Sequence, residues 1–388
     1  MIYADHAATT KPCQEAVNAM LQCMQTVYGN PSSLHAAGQA ASAALDAARQ
    51  SIARALHCTA REITFTSGGS EADNQALRSA ARAGAAAGKR HIVSTAFEHH
   101  AVLHTLERLQ EDGFTVTLLD VAPAGLVTAE QVEQALRPDT CLVSIMYANN
   151  EIGTIQPIAE IGALCRAHGI PFHTDAVQAV GHLPIDVQAE NIDMLSMSAH
   201  KFAGPKGVGA LYVRRGLPLF SLIEGGAQER GKRAGTENLP AIAGMAAALE
   251  AAQCHLKADT EHLAALQDRL LAGLSEIPGA RLNGARSPRL PGSVNFSFAG
   301  VEGESLLLLL DQQGICASTG SACTAGSLDP SHVLLALGQT PALARSSLRL
   351  TLGPENTAEE TQTIIEAVRA ATAYLRNFRQ CLPADAPG

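Results

Sequence analysis

Residues 196–209, SMSAHKFAGPKGVG, place a lysine on a glycine-rich turn between two apolar runs. The run at 192–198 predicts one strand before Lys201, and the run at 210–213 predicts another after it. An amine on a loop at a strand end lies where open α/β sheets bind ligands. A single lysine is usually a solvated surface charge. The glycines around Lys201 let the backbone approach a ligand closely, which favours a functional role.

An amine that attacks carbonyl groups is the group through which enzymes hold pyridoxal phosphate as a Schiff base. This hypothesis for Lys201 requires three further parts. They are a phosphate cradle, a carboxylate for the pyridinium nitrogen and a flat group over the ring. The chain offers candidates for each.

The composition favours an enzyme of small molecules. The 388 residues suffice for about two domains, and 46% of them are hydrophobic, which supports a large core. A net charge of -9 disfavours nucleic acid as a partner. The start of the chain has no signal-peptide pattern, and no apolar run reaches the ~20 residues of a membrane span. Nine scattered cysteines without a C-x-x-C pair favour a reducing cytoplasm and no resident metal.

Strand-like and helix-like stretches alternate along most of the chain, which predicts right-handed crossovers and a mainly parallel sheet between helices. The rhythm changes after about residue 254, where a helix at 260–275 precedes alternating segments. We therefore expect an α/β fold whose large domain, residues 14–255, binds the cofactor. A smaller α+β domain would combine residues 1–13 with residues 256–388 and carry Cys323.

Two glycine-rich loops are candidates for the phosphate cradle. In FTSGGSEADN, residues 65–74, free N–H groups at a helix start and the Ser70 hydroxyl would hold an anion. Glu71 and Asp73 are predicted in the first helical turn, where acids are favoured. An ordinary turn capped by serine fits the same letters. The second loop, EGGAQERGKRAGTEN, also fits a solvated basic loop, and its polar residues include Arg230, Lys232, Arg233 and Thr236.

Predicted strand ends supply candidates for the ring. Asp175 is placed to pair with the pyridinium nitrogen and keep it protonated. Gln178 would reach the ring hydroxyl, and His99 would stack on the ring and move protons. Asn150 would reach a substrate carboxylate or the ring oxygen. Adjacent residues on a strand point oppositely, so His99 and His100 do not predict a shared metal site.

Cys323 lies in TGSACTAGS, a run of small residues that favours an exposed nucleophile over a core thiol. Cys141, Cys165 and Cys316 lie in apolar patterns and are predicted to be buried. Arg349, in SLRLT, fits either a bidentate clamp for a substrate carboxylate or an exposed strand arginine.

Together these segments resemble the cysteine desulfurases of the class V aminotransferase group, which have fold type I of the pyridoxal-phosphate enzymes. The resemblance covers almost the whole chain. It is strongest to the group that supplies sulfur for iron–sulfur clusters, and most of all to its nitrogen-fixation branch. The segments that carry it are DHAATT, YGNPSSLH, FTSGGSEADN, EHHAV, NNEIGTIQP, FHTDAVQAVG, SAHKFAGPKGVGALY, GGAQERGKRAGTEN and GSACTAGSLDPSHVL with SLRLTLG.

The resemblance implies a role for each candidate at the cofactor, pyridoxal 5'-phosphate. Lys201 is the Schiff-base lysine, Asp175 faces the pyridinium nitrogen, and Gln178 contacts the ring oxygen. His99 stacks on the ring and assists proton transfer. The residues implied at the phosphate are Gly69, Ser70, Ser198, His200 and, from the partner subunit of a homodimer, Thr236.

The resemblance also implies the reaction. Asn150 and Arg349 bind the substrate carboxylate, L-cysteine becomes L-alanine, and Cys323 carries the sulfur as a persulfide. An iron–sulfur scaffold or another acceptor protein then takes the sulfur, and Cys323 could contact a transferred iron–sulfur cluster. The implied setting is cytoplasmic, with neither membrane nor nucleic acid as partner.

The sequence departs from the group at two positions. Ser70 stands where the group usually has threonine and keeps the hydroxyl, whereas His6 stands near the site where the group usually has asparagine.

Two alternative functions stay open. The first is a selenocysteine lyase on the same scaffold, and the second is a non-catalytic sulfur carrier or assembly scaffold. Intact Lys201, Asp175 and Cys323 argue against the last.

Overall fold

The computed structural model describes residues 1–320 and 329–381, and a twisted sheet with helices on both faces forms its centre. The strands are β1 (Ile2–Tyr3), β2 (Ile63–Thr66), β3 (His91–Thr95), β4 (Thr115–Leu119), β5 (Thr140–Ser144), β6 (Phe172–Asp175), β7 (Met194–Ser198), β8 (Gly209–Val213), β9 (Ala280–Leu282), β10 (Ser293–Phe298), β11 (Ile315–Cys316) and β12 (Ser347–Thr351). The helices are α1 (Gln14–Thr26), α2 (Ala36–Ala55), α3 (Gly69–Ala86), α4 (His100–Glu111), α5 (Ala129–Ala135), α6 (Ile158–Ala167), α7 (Gln228–Gly231), α8 (Leu239–Ser275), α9 (Gly303–Asp311), α10 (His332–Ala336), α11 (Pro341–Ala344) and α12 (Ala358–Cys381).

The central sheet has the strand order β2-β8-β7-β6-β5-β3-β4. Strand β8 runs antiparallel to both of its neighbours, and the other neighbouring pairs are parallel. The predicted α/β fold with a mainly parallel sheet is therefore confirmed. Because β3, β5, β6 and β7 run the same way, the loops that follow them emerge at one edge of the sheet, where ligands bind in such folds.

Helix α8 joins the two main hydrophobic cores of the described residues. Its first half buries Ile242, Met245 and Leu249 against the helices and strands of the central sheet. Its second half buries Leu263 and Leu270 in a separate core with β10, β12 and α12. The helix predicted at 260–275 is thus the second half of one 37-residue helix. The sequence pattern was interrupted because the middle of the helix is largely exposed.

The second core belongs to a smaller unit. Strand β10 pairs antiparallel with β9 and β12, and β1 pairs parallel with β11. The amino terminus therefore packs in this unit, with Ala4 buried in its core. The division of the chain into residues 14–255 and residues 1–13 with 256–388 stays a proposal. Among the described residues, none of the helices combines the length and apolarity that crossing a membrane requires.

A buried ion pair fastens the second glycine-rich loop to α2 and β2. The Arg49 guanidinium donates to both carboxylate oxygens of Glu229, each at 2.6 Å, and also to the Ile63 carbonyl at 2.9 Å. The Phe65 N–H donates to Glu229 Oε2 at 3.0 Å. Glu229 and Arg230 both have left-handed backbones, with φ of 48° and 60°. Such backbones are strained in residues other than glycine, so the buried contacts hold the loop in this shape.

Glu229→Gln is expected to lower the free energy of unfolding by about 3 to 5 kcal/mol, because it leaves the buried Arg49 charge without its carboxylate. Urea denaturation of the two proteins would measure the difference. Glu111→Gln removes the carboxylate of an exposed pair with Arg108 and is the matched control. It should cost less than about 1 kcal/mol. Equal losses in both variants would contradict the structural role given to Glu229.

Candidate active site

A cavity of about 210 Å³ opens where β6 and β7 end. It is lined by side chains from the loops at the carboxyl edge of the sheet, by the start of α3 and by the amino-terminal segment. The structure thus brings together residues that are far apart in the chain. The predicted site residues that line it are Gly69, Ser70, His99, Asn150, Asp175, Gln178, Ser198, His200, Lys201 and Arg349.

Lys201 follows β7 in a short 3-10 turn, and its side chain is half-buried. Its Nζ donates to the Ala7 carbonyl at 2.5 Å and to the Ala8 carbonyl at 2.9 Å. These carbonyl groups belong to the amino-terminal segment, which also receives a hydrogen bond from Gln178 Nε2 to the Ala7 oxygen at 3.0 Å. The sequence analysis missed Ala7 and Ala8, because a backbone acceptor leaves no signal in its own residue type.

The start of α3 has the shape of an anion cradle. Its N-cap residue is Gly68, which has no side chain to satisfy the free N–H groups of the first turn. A Cβ atom on Gly69 would lie 2.5 Å from Val177 Cγ2, so the turn closes against the ring-side loop only with glycine there. Free N–H groups at a helix start attract anions such as phosphate. Ser70 is exposed at this turn, and Ser198 is buried beneath it.

His200 borders the cradle as a neutral ring. Burial and the neighbouring charges of Lys201 and Lys206 lower its pKa to about 4. Its Nδ1 lies 3.1 Å from the Thr9 hydroxyl, which again ties the site to the amino-terminal segment. A neutral imidazole at pH 7 offers a phosphate a hydrogen bond rather than a charge.

Asp175 and His99, the two residues predicted to contact the cofactor ring, both line the cavity. Asp175 ends β6, and its Oδ1 accepts the Val177 N–H at 2.9 Å. Burial raises its pKa, and His99, the Val177 N–H and Lys201 act in the opposite direction. His99 is the N-cap residue of α4, and its Nδ1 accepts the Ala101 N–H at 3.1 Å. A neutral His99 ring therefore carries its proton on Nε2.

Arg349 is 1% exposed, so its interpretation as an exposed strand arginine is wrong. Its Nη1 donates to the carbonyls of Asn150 and Gly320, both at 3.1 Å, and its Nη2 donates to Asp5 Oδ1 at 2.9 Å. Its buried Nε has no hydrogen-bond partner among the described residues. Arg349 therefore joins both units at the cavity, and its Nε is available to a ligand, while its role as a carboxylate clamp stays a prediction.

Two predicted residues do not join this cavity. Thr236 is exposed on the second glycine-rich loop and is not among the residues that line it. Its predicted contact is with the cavity of a partner subunit and stays a prediction. Cys323, the predicted nucleophile, lies outside the described residues. Among the thiols predicted to be buried, Cys141 and Cys165 are buried, whereas Cys316 is only half-buried because β11 is a short strand paired with β1.

The described residues on either side of Cys323 meet at a buried carboxylate. The Ser331 hydroxyl donates to Glu151 Oε2 at 2.5 Å. A Cβ atom on Gly320 would lie 2.3 Å from the same oxygen, so glycine is required for this contact. Burial raises the pKa of Glu151, and Ser331, His332 and Arg349 act against that rise. Glu151 directly follows Asn150, which lines the cavity.

Asp73 also lines the cavity, which the sequence analysis did not foresee. It was expected with Glu71 in the first turn of α3. Only Glu71 lies there, where it accepts from the Ser67 N–H and pairs with Arg233. Asp73 lies in the second turn and is buried, because that face of the helix packs on β6 and β7.

These groups fit pyridoxal phosphate. The uncapped first turn of α3 suits its phosphate, the carboxylate of Asp175 suits its ring nitrogen, and the half-buried amine of Lys201 suits its aldehyde carbon. Each of the three groups lines the same cavity. The architecture and this constellation define a pyridoxal-phosphate enzyme of fold type I.

Residues 2–364 match the model of the class V aminotransferase family, so the chain belongs to that family. The predicted family, the predicted enzyme class and pyridoxal phosphate as cofactor are confirmed. A curated relative from Methanosarcina thermophila, named cysteine desulfurase IscS, is 50% identical over 384 residues, which cover 99% of this chain and 95% of the relative.

Solved structures agree with this placement. A structure titled NifS-like protein has a TM-score of 0.90 and 36% identity, and the match covers 96% of this chain and 99% of the other. A structure titled SspA in complex with cysteine has a TM-score of 0.81 and 38% identity, with 92% and 100% covered.

Gly69→Ala is expected to weaken pyridoxal phosphate binding to the apoprotein about tenfold or more, a loss of about 1.4 kcal/mol. The added Cβ would meet Val177 Cγ2 at 2.5 Å, so the first turn of α3 must move. Titration of the apoprotein with the cofactor, followed by absorbance, would measure the dissociation constant. Ser70→Thr, one residue further, keeps a hydroxyl and should stay within about threefold of the wild type. Unchanged binding by Gly69→Ala would remove the cradle assignment.

Proposed function

We propose that this chain is a cysteine desulfurase that converts L-cysteine to L-alanine and holds the sulfur atom as a persulfide on Cys323. The observation that carries this proposal is the convergence of Lys201, Asp175 and the start of α3 on one cavity. It is supported by curated relatives named cysteine desulfurase over nearly the whole chain. It is also supported by the similar protein whose structure is titled as a complex with cysteine.

Pyridoxal phosphate, when bound, supplies an electron sink for the bonds at Cα of an amino acid. Lys201 would hold this cofactor through its amine, and this amine would also move the proton at Cα of the substrate. Asp175 keeps a positive charge on the ring nitrogen, because a buried carboxylate stabilises a neighbouring cation. His99 covers the ring and assists the proton transfer through Nε2. Gln178 holds the ring oxygen.

The substrate is oriented from the other side of the cavity. Asn150 and the remaining Nε donor of Arg349 bind the substrate carboxylate, which lets an otherwise unpaired buried group form its hydrogen bond. The Cys323 thiolate then attacks the substrate sulfur atom. A sulfur–sulfur bond forms as the carbon–sulfur bond breaks, and the carbon retains the electron pair and takes up a proton. L-alanine leaves, and the persulfide remains for an acceptor.

The sulfur supplies iron–sulfur cluster assembly, and we propose the maturation of nitrogenase as the specific use. The enzyme works in the cytoplasm as a homodimer, in which Thr236 of each subunit reaches the phosphate in the other. This arrangement agrees with the exposure of Thr236 and with the way its loop is tied to α3. Arg233 pairs with Glu71 at 2.9 Å, and Gln75 Nε2 donates to the Lys232 carbonyl at 2.7 Å.

Cys323→Ala is expected to lower the formation of alanine from L-cysteine at least about 100-fold while keeping the cofactor absorbance band. Lys201→Ala should lose both the activity and the visible absorbance band of the cofactor, because this band depends on covalent attachment of the cofactor to the lysine amine. Alanine, sulfide and the visible spectrum would be measured on the holoenzyme. Cys254→Ala replaces an exposed thiol that does not line the cavity and should match the wild type.

Two outcomes would redirect the assignment. Wild-type sulfide release by Cys323→Ala would exclude the persulfide step and favour direct elimination, as expected of a selenocysteine lyase. A wild-type protein that takes up no cofactor would exclude the enzyme and favour the carrier or scaffold alternative. Transfer of labelled sulfur to a purified scaffold protein, with and without nitrogenase components, would test the specific use.

A further inference from the structure

Asp73 is a buried carboxyl group at the candidate active site. It is 1% exposed and lies beside the cavity, on the face of α3 that packs against the central sheet. Neither of its oxygens has a hydrogen-bond partner among the described residues. A buried polar group without a partner costs folding stability, and a buried unpaired charge costs more. The proposed mechanism does not use this group.

Among the described residues, the groups that act on Asp73 supply no positive charge. The nearest titratable partner is His173, whose Nε2 lies 3.6 Å from Asp73 Oδ1. Burial lowers the pKa of His173 to about 3, so its ring is neutral at pH 7. This ring lies 2.8 Å from the Ser144 hydroxyl and 3.0 Å from the Ser196 hydroxyl. Ser196 in turn lies opposite Asp175 in the pairing of β6 with β7.

The other titratable groups that act on Asp73 are carboxyl groups. Burial opposes its ionisation most, and Asp175 and Glu98 oppose it as well, whereas the neighbouring Ser196 hydroxyl acts against them. The pKa of Asp73 is therefore raised well above its ordinary value. Glu98 is itself fully buried, with a pKa raised to about 8. His99 and Lys201 instead act on Asp175 and lower its pKa. Ionising Asp73 and Asp175 together would place two like charges in one buried site.

We propose that Asp73 is a neutral carboxylic acid in the folded protein and a positioning residue that acts through Asp175. With the proton on Asp73, Asp175 is the ionised member of the pair and faces the ring nitrogen of the cofactor. The inference rests on the proposed role of Asp175. A role in positioning Asp175 explains why the protein keeps a carboxyl group there although it lowers folding stability. Functional sites commonly carry such costs.

The sign of the effect on stability follows from proton binding. An unfolded aspartate loses its proton near pH ~3.9, whereas Asp73 in the folded protein keeps it to a higher pH. Stability is therefore lost as the pH rises from that value towards the folded pKa. Asp73→Asn keeps the shape and cannot titrate, so its stability relative to the wild type should increase with pH.

The first experiment measures thermal unfolding of the cofactor-free proteins at pH 5 and pH 7.5. At each pH, the unfolding midpoint of the wild type is subtracted from that of Asp73→Asn. This difference should be larger at pH 7.5 than at pH 5 by at least about 2 °C. The matched control is Glu62→Gln, which removes a buried carboxylate that accepts the Thr59 and Arg215 N–H groups. Those bonds lower the pKa of Glu62, so its carboxylate is ionised at both pH values. The control should therefore lose a similar amount of stability at pH 5 and at pH 7.5.

The second experiment measures the dissociation constant of pyridoxal phosphate between pH 6 and pH 8. Asp73→Asn keeps a neutral polar group of the same shape at the site and should bind within about threefold of the wild type. Asp73→Leu removes this polar group and leaves the surroundings of Asp175 more apolar, so Asp175 takes up a proton more readily. Its binding should be about tenfold weaker and should weaken further as the pH falls. A purely structural role would give a loss independent of pH.

The unfolding experiment tests whether Asp73 is neutral, and the binding experiment tests whether it positions Asp175. A midpoint difference that decreases between pH 5 and pH 7.5 would mean that Asp73 is ionised and would overturn the proposal. Wild-type binding by both variants at every pH would overturn the positioning role, even if Asp73 proves neutral. Should Asp73→Leu not fold, Asp73→Ala replaces it in the binding experiment. Absence of cofactor binding by the wild type would refute the proposed function, while the unfolding data would still decide the protonation of Asp73.

Discussion

The amine of Lys201 is held at the edge of the central sheet by carbonyl groups from the opposite end of the chain. Its Nζ donates to the Ala7 and Ala8 oxygens, and Gln178 donates to the first of them. The amino-terminal segment leaves the smaller unit after Ala4 and then lines the cavity with Ala7 and Ala8. The reactive amine therefore depends on both units, because one supplies the residue and the other supplies the backbone that orients it.

Arg349 makes the same connection from the opposite direction. It comes from β12 of the smaller unit, yet its guanidinium donates to the Asn150 carbonyl in the loop that follows β5 of the central sheet. It also holds the Gly320 carbonyl and Asp5, so it ties the described residue preceding the Cys323 segment to the cavity wall. On the other side of that segment, the Ser331 hydroxyl donates to Glu151, which follows Asn150 in the cavity wall. Buried polar contacts of this kind restrict how the two units can move without breaking hydrogen bonds.

Most of the proposed cofactor residues were predictable because each follows a recognisable strand. Asp175, His99 and Lys201 come directly after apolar runs, and parallel strands deliver their following loops to one edge. The burial of Arg349 was not predictable, since alternation in a strand does not say which face meets the core. Helix α8 was read as starting near residue 260 because its exposed middle hides the continuity between two cores. Asp73 was read as a helix-start acid because its burial depends on how α3 packs.

The sequence by itself determined the mainly parallel α/β fold and the candidate residues, because glycine turns and strand ends are encoded locally. Its resemblance to the class V aminotransferase group indicated the family and the cofactor. The tertiary structure alone decided which backbone carbonyls orient Lys201, that Arg349 joins two units, and that Asp73 is buried beside Asp175. These features arise between segments distant in the chain. Their energies depend on burial and on the distances between charges, and neither quantity exists until the chain has folded.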